Sequence, residues 1–221
     1  MVSSAFAGTV SGTVKWEGAV PNLKPLDLSA DPSCQAKYSG KSAPQNQTLE
    51  LGSGNTVGNI LVRVKSGLPA GQAYPTPAPL IIKQAGCVYH PHVFGLMKDQ
   101  DFKFLNSDGI LHNVHALPVA NRQFNISMCK TTTESVAKKF DKSEPIPFRV
   151  KCDVHPWMLS YVAVMDHPFF AVTGLDGKFT LPNLPAGTYE IEAWHEKAGS
   201  KIAKVTVAAS GTQTVDFSFS K

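Results

Sequence analysis

A chain of 221 residues is long enough for one large domain or two small ones. Its 17 Gly and 16 Pro, set against only 17% charged residues, imply frequent turns and exclude a helical bundle, a coiled coil and a disordered tail. The net charge of +4 is spread without a basic block, which sets aside a dedicated nucleic-acid binder, and no apolar run approaches the ~18 residues of a membrane-spanning helix.

The chain opens with Ala5-Phe6-Ala7 before Gly8, the small-x-small form of a signal-peptidase site. We read residues 1–7 as the end of an export leader, which would place the protein in the periplasm, secreted or on the cell surface; the alternative is a chance Ala-x-Ala in a cytosolic protein. Thr9 to Trp16 alternates as a strand and ends at Glu17-Gly18. Residues 21–58 are rich in Asn, Gln, Ser and Gly and read as a long loop carrying Cys34. Residues 60–64 (ILVRV) have the β-branched density of a strand. Pro75, Pro77 and Pro79 make a stiff connector. Strands are then expected at 80–84, 92–96, 101–105, 111–117, 134–140, 146–151 and 160–165, and again at 177–181, 188–194, 201–207 and 213–219. Only 131–140 is ambiguous between helix and strand. The fold class is all-β, with a sandwich architecture.

The chemistry concentrates in two segments. Residues 152–158 read CDVHPWM and set Cys152, His155 and Met158 at three-residue steps on one short loop. Residues 111–116 read LHNVHA and bring His112 and His115 to a strand end. Two imidazoles, one thiolate and a weak thioether select copper for electron transfer, because this mixed soft and borderline set suits both Cu(I) and Cu(II). A zinc site would more often use Cys, His or carboxylate, for Met is a poor zinc donor. The plainer reading, a buried structural Cys among surface histidines, does not explain three donor side chains on a seven-residue loop.

At these residues the chain resembles the cupredoxins, the small blue-copper proteins, nearest to their amicyanin- and plastocyanin-like members. The likeness covers roughly 79–167. It implies His112 and His155 as histidine ligands, Cys152 as thiolate and Met158 as axial ligand of one copper ion. It gives Asn113 the part of tying the two loops together near the sulfur, with Pro156 and Trp157 forming an apolar loop apex. Such an apex would exclude water and dock a redox partner through an exposed imidazole edge. His115 lies outside the implied ligand set and reads as a strand histidine packed nearby.

A second resemblance covers 171–194, AVTGLDGKFTLPNLPAGTYEIEAW, which looks like a transthyretin-like sandwich of the carboxypeptidase regulatory type. Asp176-Gly177 reads as a hairpin turn. The opening strands of such a module lie far upstream, at 10–21 and 58–64. We therefore expect one sandwich split in sequence, 8–74 plus 169–221, with the copper domain at 75–168 inserted between. The serial alternative gives the N-terminal strands to the copper barrel and leaves 169–221 as a separate module.

With Cys152 on copper, a Cys34–Cys87 disulfide would staple the long loop to the copper domain. Cys129 is then left over, either buried, paired between chains, or paired with Cys34 or Cys87 instead. His90 and His92 beside Cys87 read as an edge-strand pair, with a second copper site from the three as the lesser alternative. His167 and His195 are expected at the surface, and Trp194 in the sandwich core.

Two functions compete. The first is an electron carrier that meets a redox protein such as a c-type cytochrome or a copper enzyme through a small transient interface. The second is a secreted copper-binding or structural module without that role. An enzyme is not expected: seven histidines and no second cupredoxin repeat leave little for a further copper cluster, and no nucleophile pattern stands out.

Overall fold

The structure, a computed structural model, describes residues 7–221. Ala5 and Phe6 of the leader-like motif lie outside the described residues. Those described are nearly all β, as composition and turn frequency imply, with one short α-helix. In chain order, β1 (Ala7–Trp16) and β2 (Leu61–Ser66) come first. The next eight are β3 (Leu80–Ala85), β4 (Val88–His90), β5 (Val93–Met97), β6 (Phe102–Asn106), β7 (His112–Ala116), β8 (Phe124–Met128), β9 (Phe148–Lys151) and β10 (Leu159–Met165). The last six are β11 (Phe170–Val172), β12 (Lys178–Pro185), β13 (Gly187–His195), β14 (Gly199–Val207), β15 (Thr212–Thr214) and β16 (Phe217–Phe219).

The chain forms two compact units. The first joins the N-terminal stretch through Asn22 to Thr48–Ala73 and Phe169–Lys221. One of its sheets has the order β12-β1-β15, with β16 also on β1; the other is β11-β2-β13-β14. Chain ends meet here: Gly12 of β1 lies opposite Phe179 of β12, and Val62 of β2 opposite Ala193 of β13. Alternation in β1 buries Val10, Val14 and Trp16. Gly12 is required where it stands, since a Cβ there would land on the Val215 carbonyl. Asp176-Gly177 does make a turn, with Gly177 at φ 67°, but not a hairpin. It joins β11, on β2, to β12, on β1, so it passes between two sheets.

The second unit is Leu23–Gln47 with Tyr74–Pro168. Its sheets are β5-β10-β9-β7-β8 and β4-β3-β6. Between them lies an apolar core that includes Ile82, Tyr89, Phe102, Phe104, Val114 and Val162. The stretch expected as strand 134–140 touches β6 through single bridges at Glu134 and Lys138 and forms no regular strand. β8, absent from the sequence reading, is an edge strand on β7, with Phe124, Ile126 and Met128 alternating along it.

The 8–74 run does not stay together. Residues 23–47 pack with the second unit, because this polar-looking loop carries four anchors into its core: Leu28 and Cys34 are buried there, and Leu26 and Tyr38 pack against it. Burying Leu28 alone contributes about 2 kcal/mol. Within the loop a short helix, α1 (Pro32–Ala36), is started by Asp31, whose side chain accepts from the Ser33 and Cys34 N–H groups, with Pro at the first helical position. Cys34 is bonded to Cys87, closing a sequence separation of 53 residues.

Candidate metal centre

β9 and β10 pair antiparallel up to Lys151 opposite Leu159, so residues 152–158 form the connection at the end of this hairpin. The loop is closed by its own backbone. The Cys152 N–H donates to the Met158 carbonyl at 3.1 Å, and the Met158 N–H to the His155 carbonyl at 2.9 Å. This turn sets the Cys152 and His155 side chains on the same side as His112, which begins β7.

The three groups meet out of contact with water. His112 and His155 are 0% exposed and Cys152 is 2% exposed. Their donor atoms lie within 4.8 Å of one another. The two Nδ1 atoms are 2.9 Å apart, and Cys152 Sγ is 3.6 Å from His155 Nδ1. Both outer nitrogens are held by carboxylates: His112 Nε2 donates to Asp108 Oδ2 at 2.9 Å, and His155 Nε2 donates to Asp31 Oδ2 at 2.9 Å. This fixes the tautomers and turns the Nδ1 lone pairs toward the thiol, the arrangement of a carboxylate–histidine–metal site.

The donor set fits a metal ion. An ion ~2.0 Å from imidazole nitrogen and ~2.3 Å from sulfur requires a nitrogen–sulfur separation of about 3.5–3.7 Å, close to what the Cys152–His155 pair shows. The two nitrogens, 2.9 Å apart, need to open by roughly half an ångström. Met158 is fully buried beside them in the loop.

The electrostatics prepare the site. Burial alone would lower the His112 pKa, but the Asp108 carboxylate and Cys152 override it and raise it. Burial opposes a Cys152 thiolate; the hydrogen bonds from His112 and from the Asn113, His155 and Val154 backbone outweigh it and lower the pKa. Burial likewise works against an Asp108 anion, yet His112, the Cys87 and Gly86 N–H groups and Lys37 hold its carboxyl well below the usual range.

Asn113 spans the two segments. Its N–H points at Cys152 Sγ at 3.5 Å, its side-chain oxygen accepts the Asp153 N–H at 2.6 Å, and its Nδ2 donates to Asp153 Oδ2 at 3.0 Å. Pro156 is exposed. Trp157 is half-buried, its ring 5.1 Å from that of His155, and its indole N–H donates to the Cys87 carbonyl at 2.9 Å. The imidazole edge expected to face a partner is not exposed. Asp31 and Cys34 of the 23–47 segment cover it, and the Cys34 sulfur stands 3.6 Å from His155 Nε2.

The other residues singled out in the sequence go elsewhere. His115 pairs with Asp153 Oδ2 at 2.9 Å. Cys87 is in the disulfide and so is no ligand for a copper site with His90 and His92; His92 Nδ1 lies 3.1 Å from the Leu159 carbonyl. Cys129 is a free, exposed thiol on the margin of β8. His167 and His195 are buried, not surface, residues, and Trp194 is only half-buried. His195 takes the core place, accepting the Lys197 and Ala198 N–H groups at 3.1 and 3.0 Å. Sequence reasoning missed Asp31 and Asp108. The first had a local signal, an Asp-Pro helix start; the second sits four residues before His112 in a Ser-Asp-Gly turn.

No protein-family model matches the chain, and no curated protein matches it. Among solved structures it is similar to a Cu-containing nitrite reductase from Thermus scotoductus SA-01, at 17% identity and a TM-score of 0.36, over 47% of this chain and 26% of that one. The chain thus spans about a quarter of the reductase. It is also similar to a Cu(I) form of a methionine-to-alanine amicyanin variant, at 16% identity and a TM-score of 0.33, over 48% of this chain and 98% of that one. A reduced tryptophan-to-tyrosine amicyanin variant gives 17% identity and a TM-score of 0.34 over the same shares. Likenesses at this level transfer no residue role. Among the described residues no helix is long and apolar enough to cross a membrane.

Proposed function

We propose that this protein is a type 1 copper protein that carries single electrons between redox proteins outside the cytoplasm. The observation that supports it best is the buried meeting of His112 Nδ1, His155 Nδ1 and Cys152 Sγ, with both outer nitrogens already committed to carboxylates. Copper bound there would supply reversible one-electron chemistry. His112 and His155 would hold it through Nδ1 and Cys152 through its thiolate, with Met158 as a weak thioether donor. The chain's own contribution is rigidity: Asp108 and Asp31 lock the rings, Asn113 locks the Cys152 loop to β7, and the core around them excludes water. A site that moves little between two charge states exchanges an electron at low reorganisation cost. On this reading the protein turns over no substrate, and its partner is a c-type cytochrome or a copper enzyme. The first unit would be a transthyretin-like accessory sandwich.

One observation favours a second reading, a copper-holding module without a carrier role: the outer edge of His155 is covered. The first test is the visible spectrum after one equivalent of Cu(II) is added to metal-free protein. An intense thiolate-to-copper band, lost in Cys152→Ser, supports the site; a pale complex, or a band that survives the substitution, overturns it. Rapid electron exchange of the loaded protein with a c-type cytochrome separates the carrier from the holding module.

A further inference from the structure

Residues 23–47 belong to the stretch expected as a long loop, 21–58, yet one of their side chains lies against His155. Asp31 uses both carboxylate oxygens. Oδ1 accepts the Ser33 and Cys34 N–H groups at 2.7 and 3.2 Å, which sets the plane of the carboxylate. Oδ2 then meets His155 Nε2 at 2.9 Å. Three residues on, Cys34 is covalently joined to Cys87. Cys87 in turn gives its N–H to Asp108 Oδ2 at 2.9 Å, the oxygen that holds His112, and its carbonyl accepts the Trp157 indole. The disulfide thus links the supports of both histidines.

Building on the copper reading above, we propose that residues 23–47 are a latched cover of this centre. Asp31 is the positioning residue for His155, and the Cys34–Cys87 bond is the latch that keeps it there. While latched, Asp31 holds the Nε2–H tautomer, aims Nδ1 inward, and denies the imidazole edge to solvent and to a docking protein. A dithiol reductant opens the latch. One of its thiolates attacks a sulfur of the bridge to give a mixed disulfide, and its second thiol resolves that intermediate. Cys34 and Cys87 leave as two thiols, having gained two electrons and two protons, and the reductant leaves as its own disulfide. The loop that carries Asp31 is then held by non-covalent contacts alone, and local opening exposes His155.

The test uses the full-length, metal-free protein, so that it stands whether or not copper binds. Long-range proton–nitrogen NMR of the imidazoles reads the His155 tautomer, and diethyl pyrocarbonate labelling with peptide mass spectrometry reads the exposure of its edge. The expected result for the unreduced protein is a single Nε2–H tautomer and slow labelling. Asp31→Ala loses the single tautomer with the disulfide intact, while Asp31→Asn, whose amide oxygen still accepts, retains it. Dithiothreitol treatment, or Cys34→Ala with Cys87→Ala, raises the rate of His155 labelling about tenfold or more. A His155 that keeps its tautomer in Asp31→Ala overturns the positioning role. Labelling that stays within about twofold after reduction of the bond overturns the latch. Failure of the copper spectrum with success here would refute the carrier and leave the cover in place.

Discussion

Removing the Cys34–Cys87 bond tests how the polar 23–47 segment comes to belong to the second unit. The perturbation is Cys34→Ala with Cys87→Ala, chosen because both positions are 0% exposed and a serine hydroxyl there would need a partner. The bond closes 53 residues of chain. Releasing that constraint gives the denatured chain about 14 cal/mol/K of entropy, or about 4 kcal/mol at room temperature. Loss of two buried sulfurs adds up to about 1 kcal/mol of packing. The expected fall in unfolding free energy is therefore about 4–5 kcal/mol. Trp157 is the tryptophan of this unit, while Trp16 and Trp194 belong to the other. Denaturant unfolding followed by fluorescence, in a background where the latter two are Phe, reads the right unit. A loss under about 1.5 kcal/mol would refute the chain-entropy argument and show that Leu28 and its neighbours hold the segment by packing.

Further outcomes concern charge and thiols. Glu192 is buried in the first unit, with Arg63 at 2.7 Å and Lys65 at 2.6 Å. Burial opposes its charge, but Lys65 and Arg63 prevail and lower its pKa. Glu192→Gln leaves a nearly buried guanidinium without its anion and is expected to cost about 3 kcal/mol at neutral pH. The folded pKa is below the unfolded one, so this contribution is fully present above about pH 5 and fades as pH falls through the unfolded value near 4.3 toward the folded one. Parallel unfolding curves for the two proteins from pH 7 to pH 3 check it; a constant gap would contradict the ion-pair account. Without reductant, the metal-free protein should show one fast-reacting thiol, Cys129, and a second, Cys152, that reacts only on unfolding. Cys129→Ser should remove the fast phase and any disulfide-linked dimer formed on air oxidation. A fast phase that survives it would place the exposed thiol elsewhere.

Much of the fold class was legible locally. Val10, Val14 and Trp16 alternate, ILVRV is dense in β-branched residues, and Gly and Pro separate the strands, so the all-β reading needed only period and punctuation. The three-residue steps of Cys152, His155 and Met158 were equally legible, because a hairpin connection of seven residues sets all three side chains on one turn. The bridged stretch near Glu134 and Lys138 was not, since it meets β6 only through isolated bridges, and β8 was overlooked although Phe124, Ile126 and Met128 alternate along it.

The sequence by itself determined the turn that presents Cys152, His155 and Met158 and the β character of the chain, because these depend on neighbours a few residues apart. Only the tertiary structure decided what surrounds that donor set. The Cys34–Cys87 bond was expected from the cysteines themselves, and Asp108 is close to His112 in sequence, but Asp31 reaches His155 across 124 positions. Contacts of that separation are set by how the chain closes in space, and no local pattern encodes them. The same closure turned an expected exposed imidazole into a buried one, since a polar segment read as a loop had four side chains to anchor it over the edge.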